Sequence, residues 1–270
     1  MEELKVKAPA KLNLHLEVLK RRHDGFHDIS SIFTLIDLYD KVIFKRNEDK
    51  IFLKEKSPIE NNIVLKAANL IKDLYSVREG VSIELTKSIP DQKGLGGGSS
   101  DAAATLIGLN KFWDLKISQS DLIDIALQLG SDVPFFIFGK TAWAHGRGEI
   151  LKEHPYKKSF FLLKFPKLKM STKLAFDSIN LASRGLPLKK ELDINEYFNS
   201  FEFWIRDNYS EMDSVFINLE KVGKPRLSGT GSTVFMEYDN LEEAQLVKDQ
   251  FPELVLTKSL ERSPLMQIIE

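Results

Sequence analysis

Lys93-Gly94-Leu95-Gly96-Gly97-Gly98-Ser99-Ser100-Asp101-Ala102-Ala103-Ala104 is the stretch around which the rest of the chain is arranged. Four glycines in five positions, two serines and a run of strong helix formers describe a loop closing into a helix. Glycine admits positive φ and lets a ligand approach the backbone with no Cβ in the way. Ser99 or Ser100 is placed to cap the helix, whose leading N–H groups and dipole attract an anion. Ala102, Leu106, Leu109 and Trp113 share one helical face that can anchor it to a core. A plain glycine-rich turn before a capped helix is the alternative, but a mere turn rarely needs four glycines.

Upstream of the loop, Val81, Ile83 and Leu85 alternate as a strand that feeds it. Asn62 precedes a helical pattern through Val64, Ala68, Ile71 and Tyr75. Residues 42–44 and 51–53 read as a strand pair joined across polar Asn47, Glu48 and Asp49. Nearer the start, Leu12, Leu14, Leu16 and Val18 alternate with Lys11, Asn13, His15 and Glu17, the period of a half-buried strand. Lys11 and Asn13 then face the same way, about 7 Å apart. Residues 21–25 form the turn that follows.

Downstream, Ser118 with Asp121 opens another helix, carried by Leu122, Ile125, Ala126 and Leu129, with Gly130 suited to its end. Asp132 follows in the tight loop Gly130-Ser131-Asp132-Val133-Pro134, and residues 135–138 and 141–144 read as buried strands around Gly139. Near residue 156 the texture changes. A strand at 159–165, a mixed polar helical region at about 173–209 and a second glycine turn, Ser228-Gly229-Thr230-Gly231-Ser232, follow in turn. A strand at 233–238, a helix at 241–251 and a last strand at 253–258 complete the pattern. Strands mixed with helices out of strict βαβ order point to an α+β protein of two lobes, 1–155 and 156–270.

The 270 residues, 43% hydrophobic and 29% charged, suit a soluble chain with a sizeable core. A net charge of −1 gives no support to nucleic acid or an anionic membrane as partner. The absence of cysteine excludes disulfides, thiolate metal sites and thiol nucleophiles. With no apolar leader and no run near the roughly 20 residues that span a bilayer, a cytoplasmic location is expected.

Among residues that could carry chemistry, Asp132 is either a turn or cap residue or a partly desolvated base beside a lysine; its apolar neighbours Val133, Phe135 and Phe136 favour the second. Lys11 is either an ordinary strand lysine or that partner. His27, beside Phe26 in a loop, has the most suggestive setting of the histidines. The others lack metal-ligand spacing, so a hydrolytic zinc site is not expected. Neither a nucleophile elbow nor a P-loop nor a dinucleotide fingerprint is present.

Three stretches together resemble the GHMP superfamily of small-molecule kinases: Pro9-Ala10-Lys11-Leu12-Asn13-Leu14, residues 94–100, and Leu227-Ser228-Gly229-Thr230-Gly231-Ser232. Gly25-Phe26-His27, the loop around Asp132 and the terminal Ser263-Pro264-Leu265 resemble the branch whose alcohol substrate carries a cytidine diphosphate. The resemblance implies a first lobe like the second domain of a ribosomal S5-type protein and a ferredoxin-like second lobe, with ATP and substrate meeting between them. It makes Asp132 the base and Lys11 its charge partner. It assigns Asn62 to the adenosine side, and Gly94, Leu95, Gly96, Gly97, Gly98, Ser99 and Ser100 to the phosphates. The Ser99 or Ser100 hydroxyl would lie near Mg2+. Asn13, Phe26, His27 and Phe176 would contact substrate, with ordinary core as the alternative for Phe176. A monomer or weak homodimer is expected.

Two departures stand out from the resembled pattern. Phe26 replaces a common tyrosine, keeping the stacking face and losing a hydroxyl. Asp91-Gln92-Lys93 stands where small residues or glycines are usual, so Lys93 either adds charge near the phosphates or points to solvent. The rival functions are a homoserine- or mevalonate-type kinase, a silent nucleotide or sugar sensor on the same fold, and an S5-like RNA-binding module. Phe26 with His27 argues against the first, Lys11 with Asp132 against the second, and the near-zero charge against the third.

Overall fold

The computed structural model describes residues 1–55, 61–179 and 196–269. Two long antiparallel strands, β1 (Glu3–Arg21) and β2 (His27–Asn47), form its spine. Their register shifts at Pro9/Ala10, Asn13/His15 and Val18/Lys20, and these bulges let one ribbon twist from one lobe into the next.

Next come β3 (Ile51–Glu55), α1 (Ile63–Leu74) and β4 (Gly80–Thr86). The expected pairing of the 42–44 and 51–53 segments is not what forms. β4 lies antiparallel between them, bonded to β2, and β3 runs parallel to β4 on its far side. Buried Val81, Ile83 and Leu85 gain more from a central position, whereas β3, with Phe52 exposed, suits an edge. The helix α1 supplies the crossover that a parallel pair requires.

The glycine stretch becomes α2 (Gly97–Phe112), followed by α3 (Gln119–Leu127) and α4 (Val133–Phe138). Helix α2 is buried on nearly every side, not along one stripe as its apolar face implied. Gly108, mid-helix, leaves the room that the Phe44 ring fills. Residues 135–138 are helical and not a strand: Pro134 sits in the first turn, Gly139 closes the helix at φ +74°, and burial from 133 to 137 erases any alternation.

The strands β5 (Ala142–His145) and β6 (Ile150–Glu153) then pair with each other, and β5 also joins β2. The remaining elements are β7 (Phe160–Lys164), α5 (Thr172–Ser178), α6 (Glu202–Asn208), α7 (Ser210–Leu219), β8 (Arg226–Leu227), β9 (Val234–Tyr238), α8 (Leu241–Gln250), β10 (Val255–Leu260) and α9 (Met266–Ile269). Much of the expected helical region at 173–209 lies outside the described residues. β10 pairs with β7 and, at Ser259 and Leu260, with β2, so one sheet runs in the order β3-β4-β2-β10-β7-β9-β8.

Among the described residues, apolar side chains gather in three clusters. One lies around α1, α2, α3 and α4 and takes in Leu265 and Met266 from the chain's end. Another lies around α6, α7 and β9, and reaches Leu16, Val18 and Ile29 of the long strands. A small third cluster, with Leu12, Leu95, Phe161 and Phe235, lies between them. The architecture is α+β and two-lobed, with the glycine loop where the clusters meet. Among the described residues no helix is long and apolar enough to cross a membrane.

Candidate active site

A cleft of about 780 Å3 opens where β1, the glycine loop and the second glycine turn converge. Its lining includes Lys11, Asn13, Phe26, His27, residues 94–99, Asp132, Phe176, Gly229 and Thr230.

At the head of α2, Gly96 occupies the cap position at φ +68°, and no side chain caps the helix. The expectation that Ser99 or Ser100 would cap is therefore corrected, because both serines lie inside the first turn. Ser100 N already donates to Gly96 O at 2.9 Å, and the buried Ser100 hydroxyl donates to Pro9 O at 2.6 Å. The Ser100 hydroxyl is thus held by backbone, while Ser99 faces the cleft. The amides of Gly97, Gly98 and Ser99 have no acceptor within the helix and form an anion-ready end.

A cation stands beside this turn, contributed by Lys87. A Cβ on Gly97 would sit 3.3 Å from Lys87 Nζ. The ammonium lies between Asp40 at 2.5 Å and Asp101 at 2.6 Å. Burial pushes the Asp101 carboxyl up to about 7 against the pull of Lys87, while those two carboxylates raise the lysine despite its own desolvation. Asp40 also accepts the amides of Ser88 and Ile89, which fixes the approach to the glycine loop. Nothing in the sequence around Asp40 signalled this role; Lys87, close before the glycines, could have been noticed.

Lys93 fulfils neither expectation. Its side chain is buried, and Nζ donates to Pro166 O at 2.5 Å, to Leu168 O and to Ser232 Oγ at 3.2 Å. It ties the glycine loop to the second lobe, and burial lowers its pKa. Lys93→Met strands the Pro166 carbonyl and takes one of two donors from Leu168 O, which keeps the Ser232 hydroxyl, a cost on the order of 2–3 kcal/mol. A Tm fall of roughly 5–10 °C with kcat within about threefold is expected in thermal denaturation and steady-state assays. A tenfold rise in ATP KM at unchanged Tm would instead place the lysine at the phosphates.

Lys11 and Asp132 meet across the cleft floor. The buried Lys11 ammonium lies 3.4 Å from Asp132 Oδ2, donates to Asn13 Oδ1 at 2.5 Å and stands 4.8 Å from the Phe33 ring centre. Asn13 in turn donates to Ser31 Oγ at 2.9 Å, so the amide's orientation is set from behind. Asp132 occupies the cap position of α4 without using its carboxylate to cap it, and its side chain is 35% exposed. An unspent carboxylate, open to the cleft and beside a fixed ammonium, is suited to take a proton from an alcohol.

The aromatic end is built from β2 and α5. His27 is 92% buried and stacks on Phe176, with ring centres 5.1 Å apart and planes 29° apart. Burial lowers the His27 pKa, helped by the Arg21 charge, and favours the neutral ring. Phe176 also meets Phe201 edge-on at 4.8 Å, so it joins the second core while lining the cleft. The gap between the His27 and Phe176 rings leaves no space for a third flat ring, which would need roughly 7 Å. Phe26 is exposed, with Arg147 over its face.

Asn62 is not brought to the cleft. It caps α1, accepting Val64 N at 2.9 Å and donating to Glu55 Oε2 at 2.8 Å, and its neighbour Ile63 lines the wall instead.

A cleft walled by two glycine turns, with an anion-ready helix end facing a lysine–aspartate pair, defines the GHMP kinase class. Residues 62–140 match the family model for the GHMP kinases N terminal domain. A mevalonate kinase structure from Methanococcus jannaschii shares the fold, with TM-score 0.70, 15% identity and 96% of this chain and 98% of that chain covered. More narrowly, the chain belongs to the 4-diphosphocytidyl-2-C-methyl-D-erythritol kinase family. It is 36% identical to the enzyme of that name from Acinetobacter baylyi over 97% of either chain. A crystal structure of a 4-(cytidine 5'-diphospho)-2C-methyl-D-erythritol kinase superposes with TM-score 0.84 and 28% identity, covering 95% of this chain and 99% of that one.

Proposed function

We propose that the protein transfers the γ-phosphoryl group of ATP to the 2-hydroxyl of 4-diphosphocytidyl-2-C-methyl-D-erythritol, a step of the non-mevalonate isoprenoid route. The observation that carries this reading is the Lys11–Asp132 pair, 3.4 Å apart, in one cleft with the open end of α2. Asp132 accepts the hydroxyl proton as the alkoxide oxygen bonds to phosphorus and the bond to the ADP oxygen breaks. Lys11 keeps the carboxylate in place and offsets charge growing on the transferred group. The amides of Gly97, Gly98 and Ser99 orient the phosphates, and positioning plus charge stabilisation is what phosphoryl transfer chiefly demands.

Mg2+ fits this site in one way. Among the described residues no group of three or more His, Cys, Asp or Glu side chains could hold a metal. Mg2+ commonly keeps several waters and binds mainly through nucleotide phosphates. The Ser99 hydroxyl is the protein oxygen we assign to it there, and bound Mg2+ would neutralise phosphate charge. Support for a cytidine end comes from the His27–Phe176 stack with exposed Phe26 beside it. The division at 155/156 belongs to the same proposal, supported by one core drawn mainly from residues before it and one mainly from residues after it, with Leu16, Val18 and Ile29 entering the second and the chain's last turn returning to the first. A monomer or weak homodimer in the cytoplasm belongs to the same proposal.

An ATP-coupled assay offering the cytidine diphosphate alcohol, homoserine and mevalonate separates the kinase readings. We expect turnover with the first alone; turnover with either of the others and none with it would overturn the assignment. Nucleotide binding without any turnover would favour the silent sensor.

A further inference from the structure

We propose that Arg147 is a specificity-determining residue, the group that receives the diphosphate of the alcohol substrate. This rests on the cytidine diphosphate substrate proposed above. The guanidinium carbon of Arg147 lies 4.6 Å from the centre of the Phe26 ring, and both residues line the cleft. Its neighbour Gly148 opens towards the reacting carboxylate, since a Cβ there would stand 3.7 Å from Asp132 Oδ1. Arg147 therefore spans the interval between the aromatic end and the carboxylate end. A substrate with a base at one end and the reacting hydroxyl at the other must lay its diphosphate across that interval.

The charge distribution leads to the same residue. Lys11 is engaged by Asp132 and Asn13, Lys87 by Asp40 and Asp101, and Lys93 by carbonyl oxygens of the second lobe, while Arg21, opposite His27 in the strand pair, and Lys173, on the helix that carries Phe176, line the cleft at its aromatic end. Arg147 meets Glu149 only through Nε at 3.8 Å, beyond hydrogen-bond reach, and neither Nη group bonds a carboxylate among the described residues. Its charge also acts on the nearby Asp24 carboxylate, and a planar guanidinium whose Nη edge is unbonded suits bidentate contact with phosphate oxygens. Stacking on Phe26 holds that plane in place, which reduces the freedom lost on binding.

The backbone beneath is fixed as well. Gly146 O accepts Ile29 N at 2.7 Å, Arg147 N donates to Glu149 Oε2 at 2.5 Å, and Gly148 N donates to His145 O at 3.0 Å. The sequence carries a usable signal, a bulky cation framed by glycines in Gly146-Arg147-Gly148, although the chain gives no hint that it returns to Phe26.

The test compares cytidine and cytidine 5'-diphosphate as ligands of the full chain by calorimetry, in the wild type and in Arg147→Gln. The wild type is expected to bind the diphosphate at least about tenfold tighter than the nucleoside, and Arg147→Gln to lose most of that preference while keeping its affinity for cytidine. In turnover, KM for the alcohol should rise about tenfold with ATP KM within twofold. Arg147→Lys, which keeps the charge without the plane, should fall between. A diphosphate preference that survives Arg147→Gln overturns the assignment and leaves the proposed reaction intact. A wild type that binds neither ligand and does not turn over the alcohol overturns the proposed reaction, and this assignment with it.

Discussion

Asp132→Asn is expected to lower kcat by about 1,000-fold while leaving ATP affinity within twofold. The amide matches the carboxylate in shape but cannot take the hydroxyl proton, and general-base catalysis of this kind is worth 100- to 10,000-fold, of order 4 kcal/mol. The fold should tolerate the change. The side chain is 35% exposed and caps nothing, and Lys11 retains Asn13 and the Phe33 face as partners. Steady-state kinetics beside nucleotide calorimetry separate the two effects. A variant turning over within tenfold of wild type would show that another group takes the proton, or that positioning alone supplies the rate.

Gly94→Ala is expected to cost on the order of 3–5 kcal/mol of stability and to remove activity at 37 °C. The backbone there has φ +73°, a conformation costly for any residue with a Cβ. The added methyl would also overlap the carbonyl oxygen of Ser228, a backbone atom that cannot rotate aside. Ser228 Oγ donates to Gly94 O at 3.0 Å, so a shift at this point pulls on the second glycine turn too. Thermal denaturation should register a Tm lower by roughly 10 °C or more, at a few degrees per kcal/mol for a chain of this size. Gly98→Ala is the control. Nothing lies within 3.8 Å of a Cβ there, so little stability should be lost. A Tm for Gly94→Ala within 2 °C of wild type would mean the two turns are not pressed together as described.

The loop, its helix, the strand that feeds it and the pairing of Lys11 with Asn13 on one strand face were all readable along the chain. Each rests on neighbours in sequence: glycine freedom, period-two alternation, a capping serine at 118. What failed did so for a common reason. Residues 133–138 are apolar throughout, and such a run has no period to choose between helix and strand until its neighbours pack around it. The 51–53 segment went to the edge of the sheet because β4 outbid it for the centre, a competition between segments 30 residues apart. Ser100 and Asn62 carry side chains suited to a ligand, yet backbone partners hold Ser100, and Val64 and Glu55 hold Asn62.

The sequence alone determined where a phosphate-ready helix end forms, since that depends on glycines and helix formers within a dozen residues. It also supplied the lysine and the aspartate as residue types able to work on an alcohol. Only the tertiary structure decided that Lys11 and Asp132, 121 positions apart in the chain, stand 3.4 Å from each other, and that Lys87 and not Lys93 flanks the helix end. Charges cost too much to bury unpaired, so each of these groups settles where the folded chain offers it partners, and those partners come from segments no local pattern connects.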